Sequence, residues 1–120
     1  MENTGKKLKD RAYTYSLQSI QFIDSLDKKS ISSQVLARQL IRSATSVGAN
    51  IIEAQAGSTR KDFTNFFTYA LKSANESRFW LELLRDTGKV SKDKAELLLK
   101  ETDEISKMLG ASIITLRKNN

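Results

Sequence analysis

The chain has 120 residues, enough for one domain with one hydrophobic core, and its 20 Lys and Arg against 14 Asp and Glu give a net charge of +6. It contains no Cys and no His, which excludes disulfides, thiolate chemistry, histidine general bases and metal sites built on either residue. It also contains no Pro and only five Gly, so few turns are available for a sheet, and we predict a single all-helical domain over 1–120.

The amino-terminal segment, Met1 to Asp10, is polar and basic and lacks the apolar stretch of a signal peptide. No run approaches the length of about 18 apolar residues that a membrane span requires. We therefore expect a cytoplasmic protein that makes no membrane contact. Its positive charge favours anionic partners without identifying one.

Apolar residues recur at helical spacing in four segments, of which the first covers about 8–27. The second covers about 33–56, and Ser32 or Ser33 is expected to cap its start by accepting a hydrogen bond from a free N–H group of the first turn. Gly57 follows the last apolar residue of this segment, and we expect it to adopt a left-handed C-terminal cap.

The third segment covers about 60–87 and the fourth about 92–117. Thr59 is expected to cap the start of the third helix, Gly88 to end it, and Ser91 to cap the start of the fourth. Four helices joined by short loops predict an antiparallel bundle with up-down-up-down topology.

The second predicted helix carries a narrow arc of small and polar residues beside its apolar stripe, and we call this arc the polar seam. One interpretation is a boundary strip whose short side chains let another helix approach and whose Ser hydroxyls bond to the backbone. The other is a buried polar network in which Asn50 and Glu53 are satisfied by groups on a neighbouring helix. The seam consists of Gln39, Ser43, Ser46, Asn50, Glu53 and Gly57.

The third predicted helix is apolar over more of its circumference than one core requires. Tyr69, Phe79 and Leu83 point away from the inner face, Glu76 lies among them, and Trp80 lies at the border. A monomer rarely exposes such a patch, so we expect a second copy of the chain to cover it. The alternative is a helix that is central within its own bundle. The inner face is predicted to comprise Phe63, Phe66, Phe67, Ala70, Leu71, Ala74, Leu81 and Leu84.

Carboxylates on neighbouring helices raise the option of a bundle-core metal site. The candidate pair, Glu53 and Glu76, lacks the His residues of such sites, so we expect structural roles for both and neither metal nor cofactor. Helical RNases of the HEPN type need an Arg-x-x-x-x-His element, which the chain cannot supply. Gly-x-Ser-x-Gly, Ser-x-x-Lys and a phosphate-binding Gly loop are also absent from the sequence. We therefore assign no catalytic residue and expect no enzyme.

Three segments together resemble a known bacterial family. They are 42–54 (RSATSVGANIIEA), 60–63 (RKDF) and 70–84 (ALKSANESRFWLELL). This long spaced pattern is similar to that of four-helix-bundle proteins encoded in intervening sequences of large-subunit ribosomal RNA. That family is related to the accessory variability proteins of diversity-generating retroelements. The resemblance covers roughly 8–117, with Ala54 at a position where many members have Gly.

The resemblance implies a homo-oligomer, commonly a pentamer, with no established enzymatic activity. It marks Ser46, Asn50, Glu53 and Glu76 as signature positions with structural roles, and we group Ser43 of the polar seam with them. Relatives from retroelements are basic rings that bind nucleic acid and a reverse transcriptase, which makes both of them candidate partners.

The predicted topology collects basic residues at one end of the bundle, where the first and third helices start and the second and fourth end. In a ring of copies this basic end would offer many weak phosphate contacts together, whereas in isolation its cations are solvated termini. A nucleic-acid-binding scaffold and a protein-only adaptor both fit the sequence, and the missing His and Cys oppose an enzyme. The basic end comprises Lys6, Lys7, Lys9, Arg11, Arg60, Lys61, Arg117 and Lys118.

Overall fold

A computed structural model describes the backbone of residues 2–118 and the side chains of residues 7–118. It contains four α-helices: α1 (Glu2–Asp24), α2 (Ile31–Ala56), α3 (Arg60–Asp86) and α4 (Lys92–Lys118). Helix α1 packs on α2 and α4, and α3 packs on the same two helices. This arrangement is an antiparallel four-helix bundle, measuring 49 × 22 × 19 Å, and it confirms the predicted fold class.

The hydrophobic core follows the common axis of the helices and is built from the apolar stripe of each one. Helices α2 and α3 share the most extensive contact and α1 and α4 the least. Gly48 of α2 lies against Ala12 of α1, with room at this position for no more than a methyl group in ordinary van der Waals contact. The α1–α4 side, with fewer contacts, leaves an open groove.

The start of α2 corrects one prediction. The N-cap is Ser30, which has an extended backbone and whose Oγ atom accepts the N–H of Ser33 at 3.1 Å. Ser32 is exposed, and Ser33 is buried within the first turn, where its Oγ bonds to Ser30. Three serines within four residues made the cap ambiguous, and the apolar pattern could not show that the exposed Ile31 belongs to the helix.

The link between α2 and α3 corrects a second prediction, which concerns the conformation of Gly57. Gly57 has φ −66° and ψ 141°, an extended conformation, so the predicted left-handed cap is wrong. The Oγ1 atom of Thr59 accepts the N–H of Asp62 at 3.0 Å and caps α3 as predicted. With only three residues between the helices, the chain turns directly from the end of α2 into the Thr59 cap.

The end of α3 and the start of α4 agree with the predictions made from the sequence. Gly88 follows the last turn of α3 with φ 71°, a left-handed conformation that favours glycine. Ser91 precedes α4, and its backbone carbonyl accepts the N–H of Ala95 at 3.1 Å. The loop between α3 and α4 is therefore fixed by residues of the expected types.

The first and third helices differ from expectation in detail. Helix α1 begins at Glu2, earlier than predicted, because the polar residues before the apolar stripe contain no helix breaker except one Gly. It ends at Asp24. On α3, Phe63, Phe66 and Leu71 are only partly buried. Thr64 and Ser77, which the apolar pattern left out, are buried instead.

Candidate functional site

Ser43 is the residue of the polar seam that reaches the core. It is fully buried, and its hydroxyl donates to the carbonyl of Leu40 at 3.2 Å. The hydroxyl of Ser77 on α3 donates to Ser43 Oγ at 2.8 Å. This buried pair joins α2 to α3 at a point where two small side chains let the helices meet.

A second buried hydroxyl pair joins α1 to α4. Thr102 Oγ1 donates to the carbonyl of Leu98 at 2.7 Å, so the Tyr15 hydroxyl, 2.6 Å from Thr102 Oγ1, is the donor of that pair. Burial raises the pKa of the Tyr15 hydroxyl, and hydrogen bonding with Thr102 and Ser77 offsets part of the rise. Each helix thus supplies one hydroxyl to a hydroxyl layer, made of Tyr15, Ser43, Ser77 and Thr102.

Ser19 lies one helical turn beyond Tyr15 and is also buried. Its Oγ atom has no hydrogen-bond partner within the part of the chain that the structure describes. A buried hydroxyl without a partner is costly, which makes Ser19 the least satisfied position near the hydroxyl layer.

The outer residues of the polar seam bond within α2. Ser46 Oγ donates to the carbonyl of Arg42 at 2.6 Å, and Asn50 Nδ2 donates to the carbonyl of Ser46 at 2.8 Å. Glu53 is exposed. The network interpretation is therefore wrong for Asn50 and Glu53, because the first bonds within its own helix and the second is exposed. The boundary strip describes these positions, and Ser43 alone enters a buried interhelical pair.

Glu76 ties α3 to α2 from the outside. Its Oε2 atom accepts the indole N–H of Trp80 at 3.0 Å and forms an ion pair with Arg42. Arg42 also donates to Gln39 Oε1 at 3.0 Å. No role was predicted for Arg42 from the sequence, although its place directly before Ser43 in the resembling segment was a signal.

Apolar side chains on the outer side of α3 remain uncovered. Tyr69 is 47% exposed and Phe79 is 53% exposed, whereas Trp80 and Leu83 are half-buried. Phe79 and Trp80 meet edge to face at 5.0 Å between ring centroids. We call these four residues the outer α3 patch. Its Trp80 ring is positioned by the contact with Phe79 and by the hydrogen bond to Glu76.

The basic end is present in part. The antiparallel order brings the start of α1 and α3 and the end of α2 and α4 together. Arg11 is engaged elsewhere, because its guanidinium makes two hydrogen bonds to Glu101, at 2.8 and 2.9 Å, which raise the pKa of Arg11. The side chain of Lys6 lies outside the described residues. The exposed cations are Lys7, Lys9, Arg60, Lys61, Arg117 and Lys118.

The opposite end of the bundle differs in its charge pairing. Hydrogen bonding to Arg85 lowers the pKa of the Asp86 carboxyl, and Arg85 also pairs with Glu96. The Lys28 ammonium donates to the carbonyls of Ile23 and Leu26. Several cations there are thus occupied within the chain.

The acidic residues of the polar seam and α3 do not converge. Glu76 is paired with Arg42, and Glu53 lies apart from it on the surface. Within residues 7–118, no group of three or more acidic side chains is placed to hold a metal ion. Across the same part of the chain, no helix has the length and apolar character needed to cross a membrane.

The fold and the seam define a class of protein: a four-helix bundle with a serine pair between α2 and α3 and a Glu–Trp–Arg cluster beside it. The family model of the 23S rRNA-intervening sequence protein matches residues 6–111, so the chain belongs to that family. A solved structure of a Bacteroides thetaiotaomicron protein of unknown function, from the S23 ribosomal protein family, is similar to it. The two share 34% identity and a TM-score of 0.81, over 92% of this chain and 97% of the other. No curated protein matches the sequence.

Proposed function

We propose that the chain is a non-enzymatic, cytoplasmic scaffold that assembles from several copies and binds RNA or DNA through its basic end. The observation that carries the proposal is the set of six exposed Lys and Arg residues that the antiparallel topology collects at one end. Among the residues whose side chains the structure describes, the acidic residues near this end are Asp10, Glu53 and Asp62. Phosphate oxygens are the ligands that such a surface attracts.

Assembly would strengthen nucleic-acid binding, because the basic end of a single copy binds phosphate groups only weakly. Copies with parallel axes would repeat the basic end around one rim, and a flexible polyanion could contact several copies at once. The outer α3 patch supports assembly, since Tyr69 and Phe79 are half exposed on a helix that already has a buried face. We expect the assembly to be a pentamer, as the resemblance implies.

A second candidate is a protein-only adaptor, and the groove between α1 and α4 favours it. The groove has a volume of about 1120 Å³, an apolar floor at Phe22 and Leu98, and mixed charges along its rims. Leu97 beside it is 70% exposed. A reverse transcriptase, the partner that the resemblance implies for retroelement relatives, would be the polypeptide that such an adaptor binds.

A titration of fluorescently labelled single-stranded RNA and DNA tests the proposal. Binding is expected at low salt, with little dependence on sequence and a steep loss towards physiological salt, because counterion release drives it. The variant Lys61→Glu/Lys118→Glu should lose most of this binding. The matched control, Lys29→Glu/Lys92→Glu, makes the same charge change at the opposite end and should retain more of it.

Two results would contradict nucleic-acid binding by the basic end. One is no binding at low salt by the wild-type chain. The other is an equal loss of binding in both variants, which would indicate a response to net charge alone. Either result leaves the protein-only adaptor as the better candidate.

A further inference from the structure

A second apolar patch lies on the face that α1 and α2 form. Tyr13 and Leu17 project from α1 and Ile52 from α2, and their exposed fractions are 60%, 45% and 53%. We call these three residues the α1–α2 patch. Tyr13 and Ile52 border a groove of about 450 Å³ whose other lining residues include small ones: Ser16, Thr45, Gly48 and Ala49. A large side chain of another molecule would pack more closely in such a groove than on a flat surface.

Contacts between helices fix the height of each residue along the bundle. Gly48 of α2 lies against Ala12 of α1. Ser43 precedes Gly48 by five residues in α2 and is hydrogen-bonded to Ser77 of α3. Because α2 runs opposite to α1, Ser77 lies at the level of Leu17.

The two patches therefore occupy the same height on different faces. Helices α1 and α3 run in the same direction, so the outer α3 patch, from Tyr69 to Leu83, spans the levels of α1 residues 9–23. Tyr13 and Leu17 fall within that interval. Two copies with parallel axes can bring one patch against the other without sliding along the axis.

One pair of opposite charges lies beside the two patches at nearly the same height, and the exposed Lys9 adjoins the acidic member, Asp10. Lys72 is exposed on α3 between Tyr69 and Glu76 and lies at the level of Ala12. Asp10 is exposed on α1, about 3 Å away along the axis at 1.5 Å per residue. With the patches face to face, opposite charges would therefore lie near each other at this height.

We propose that the outer α3 patch of one copy packs on the α1–α2 patch of the next, with Lys72 beside Asp10. This inference rests on the proposed assembly and names the two surfaces that meet. Because the surfaces differ, the contact is head to tail, and equal heights allow it to close into a ring. A bundle face of 49 × 22 Å offers the roughly 800 Å² per partner that stable interfaces bury.

Cysteine cross-linking tests the pairing, since the natural chain contains no Cys. Asp10→Cys and Lys72→Cys are made singly and together, and each is treated with a short bis-maleimide. The double variant should give a ladder of covalent oligomers. A mixture of the two single variants should give cross-linked dimers, and neither single variant should cross-link alone. The control, Lys72→Cys/Lys107→Cys, places the second Cys on the exposed face of α4 and should give no ladder.

The charge swap Asp10→Lys/Lys72→Asp provides an independent measurement. We expect Asp10→Lys alone to weaken assembly at least about twofold, because it places like charges together, and the double variant to restore it. Self-cross-linking of Lys72→Cys would overturn the inference in favour of a two-fold contact. An assembled wild-type chain with neither ladder nor restoration would overturn the pairing but not the assembly. A monomeric wild-type chain would overturn both.

Discussion

At the scale of single residues, we expect Glu76, one of the signature positions, to contribute measurably to the free energy of unfolding. Glu76→Ala leaves the half-buried indole N–H of Trp80 without its acceptor and removes the ion pair with Arg42. We expect the free energy of unfolding to fall by about 1 kcal/mol, since the Arg42 pair is exposed and contributes little. Urea unfolding followed by circular dichroism measures the change.

Glu76→Gln is the matched control, because its side-chain carbonyl can still accept from Trp80. It should cost less than half as much as Glu76→Ala. Equal losses in the two variants would show that the charge, rather than the indole hydrogen bond, stabilises this part of α3.

Tyr15 makes stability sensitive to alkaline pH. Burial raises the pKa of its hydroxyl above the ordinary value of about 10, so the folded state holds this proton more tightly than the unfolded state. The corresponding stability is fully present below pH 10 and is lost as the pH rises through the folded-state pKa. We expect the melting temperature to fall less steeply above pH 10 in Tyr15→Phe than in the wild type.

Thr14→Ala is the control for this pH dependence, because it removes an exposed hydroxyl of the same helix that has no titratable group. This variant should show the same fall in melting temperature above pH 10 as the wild type. If Thr14→Ala and Tyr15→Phe changed the slope equally, the buried hydroxyl layer would not be the source of the effect.

At the scale of helices, the cap of α2 distinguishes Ser30, the N-cap in the structure, from Ser32, one of the two caps predicted from the sequence. Ser30→Ala should lower the free energy of unfolding by about 1 kcal/mol, because it removes the acceptor of the Ser33 N–H group. Ser32→Ala should change it little, since Ser32 is exposed within the first turn. Thermal unfolding of the two variants decides between them, and a larger loss in Ser32→Ala would contradict the cap at Ser30.

The sequence could predict the helices because every one carries a long apolar repeat with polar breaks between. It could also predict the caps at Thr59, which has Asp62 three residues further on, and at Gly88, where a single Gly follows the apolar repeat. It predicted Ser32 or Ser33 as the cap of α2 and could not show that Ser30 is the cap, nor that Gly57 is extended. Those outcomes depend on how the chain enters the next helix, which a local pattern does not record.

The hydroxyl layer shows why the candidate site was only partly predictable. Ser43 was singled out because it lies beside an apolar stripe. Tyr15 belongs to the apolar stripe of α1, whereas Ser77 and Thr102 are polar residues that the apolar patterns of α3 and α4 leave out. Only the packing of all four helices brings these hydroxyls together. The signature positions likewise gave no sign that Asn50 bonds within its own helix.

At the scale of the whole molecule, the topology has two separate consequences. It gathers exposed cations at one end, and it leaves apolar side chains uncovered on the sides of the bundle. The first consequence suits a polyanion and the second suits another copy of the chain. The proposed function needs both, and assembly comes first because it multiplies each weak basic end.

The mass of the wild-type chain in solution tests this account most directly. Light scattering coupled to gel filtration, at micromolar concentration and physiological salt, measures it without a label or a partner. We predict a mass of at least twice the 13.5 kDa of one chain, with the pentamer as the expected state, and a lower multiple for Leu83→Asp. A wild-type mass of 13.5 kDa would contradict the central claim that the outer α3 patch is covered by another copy.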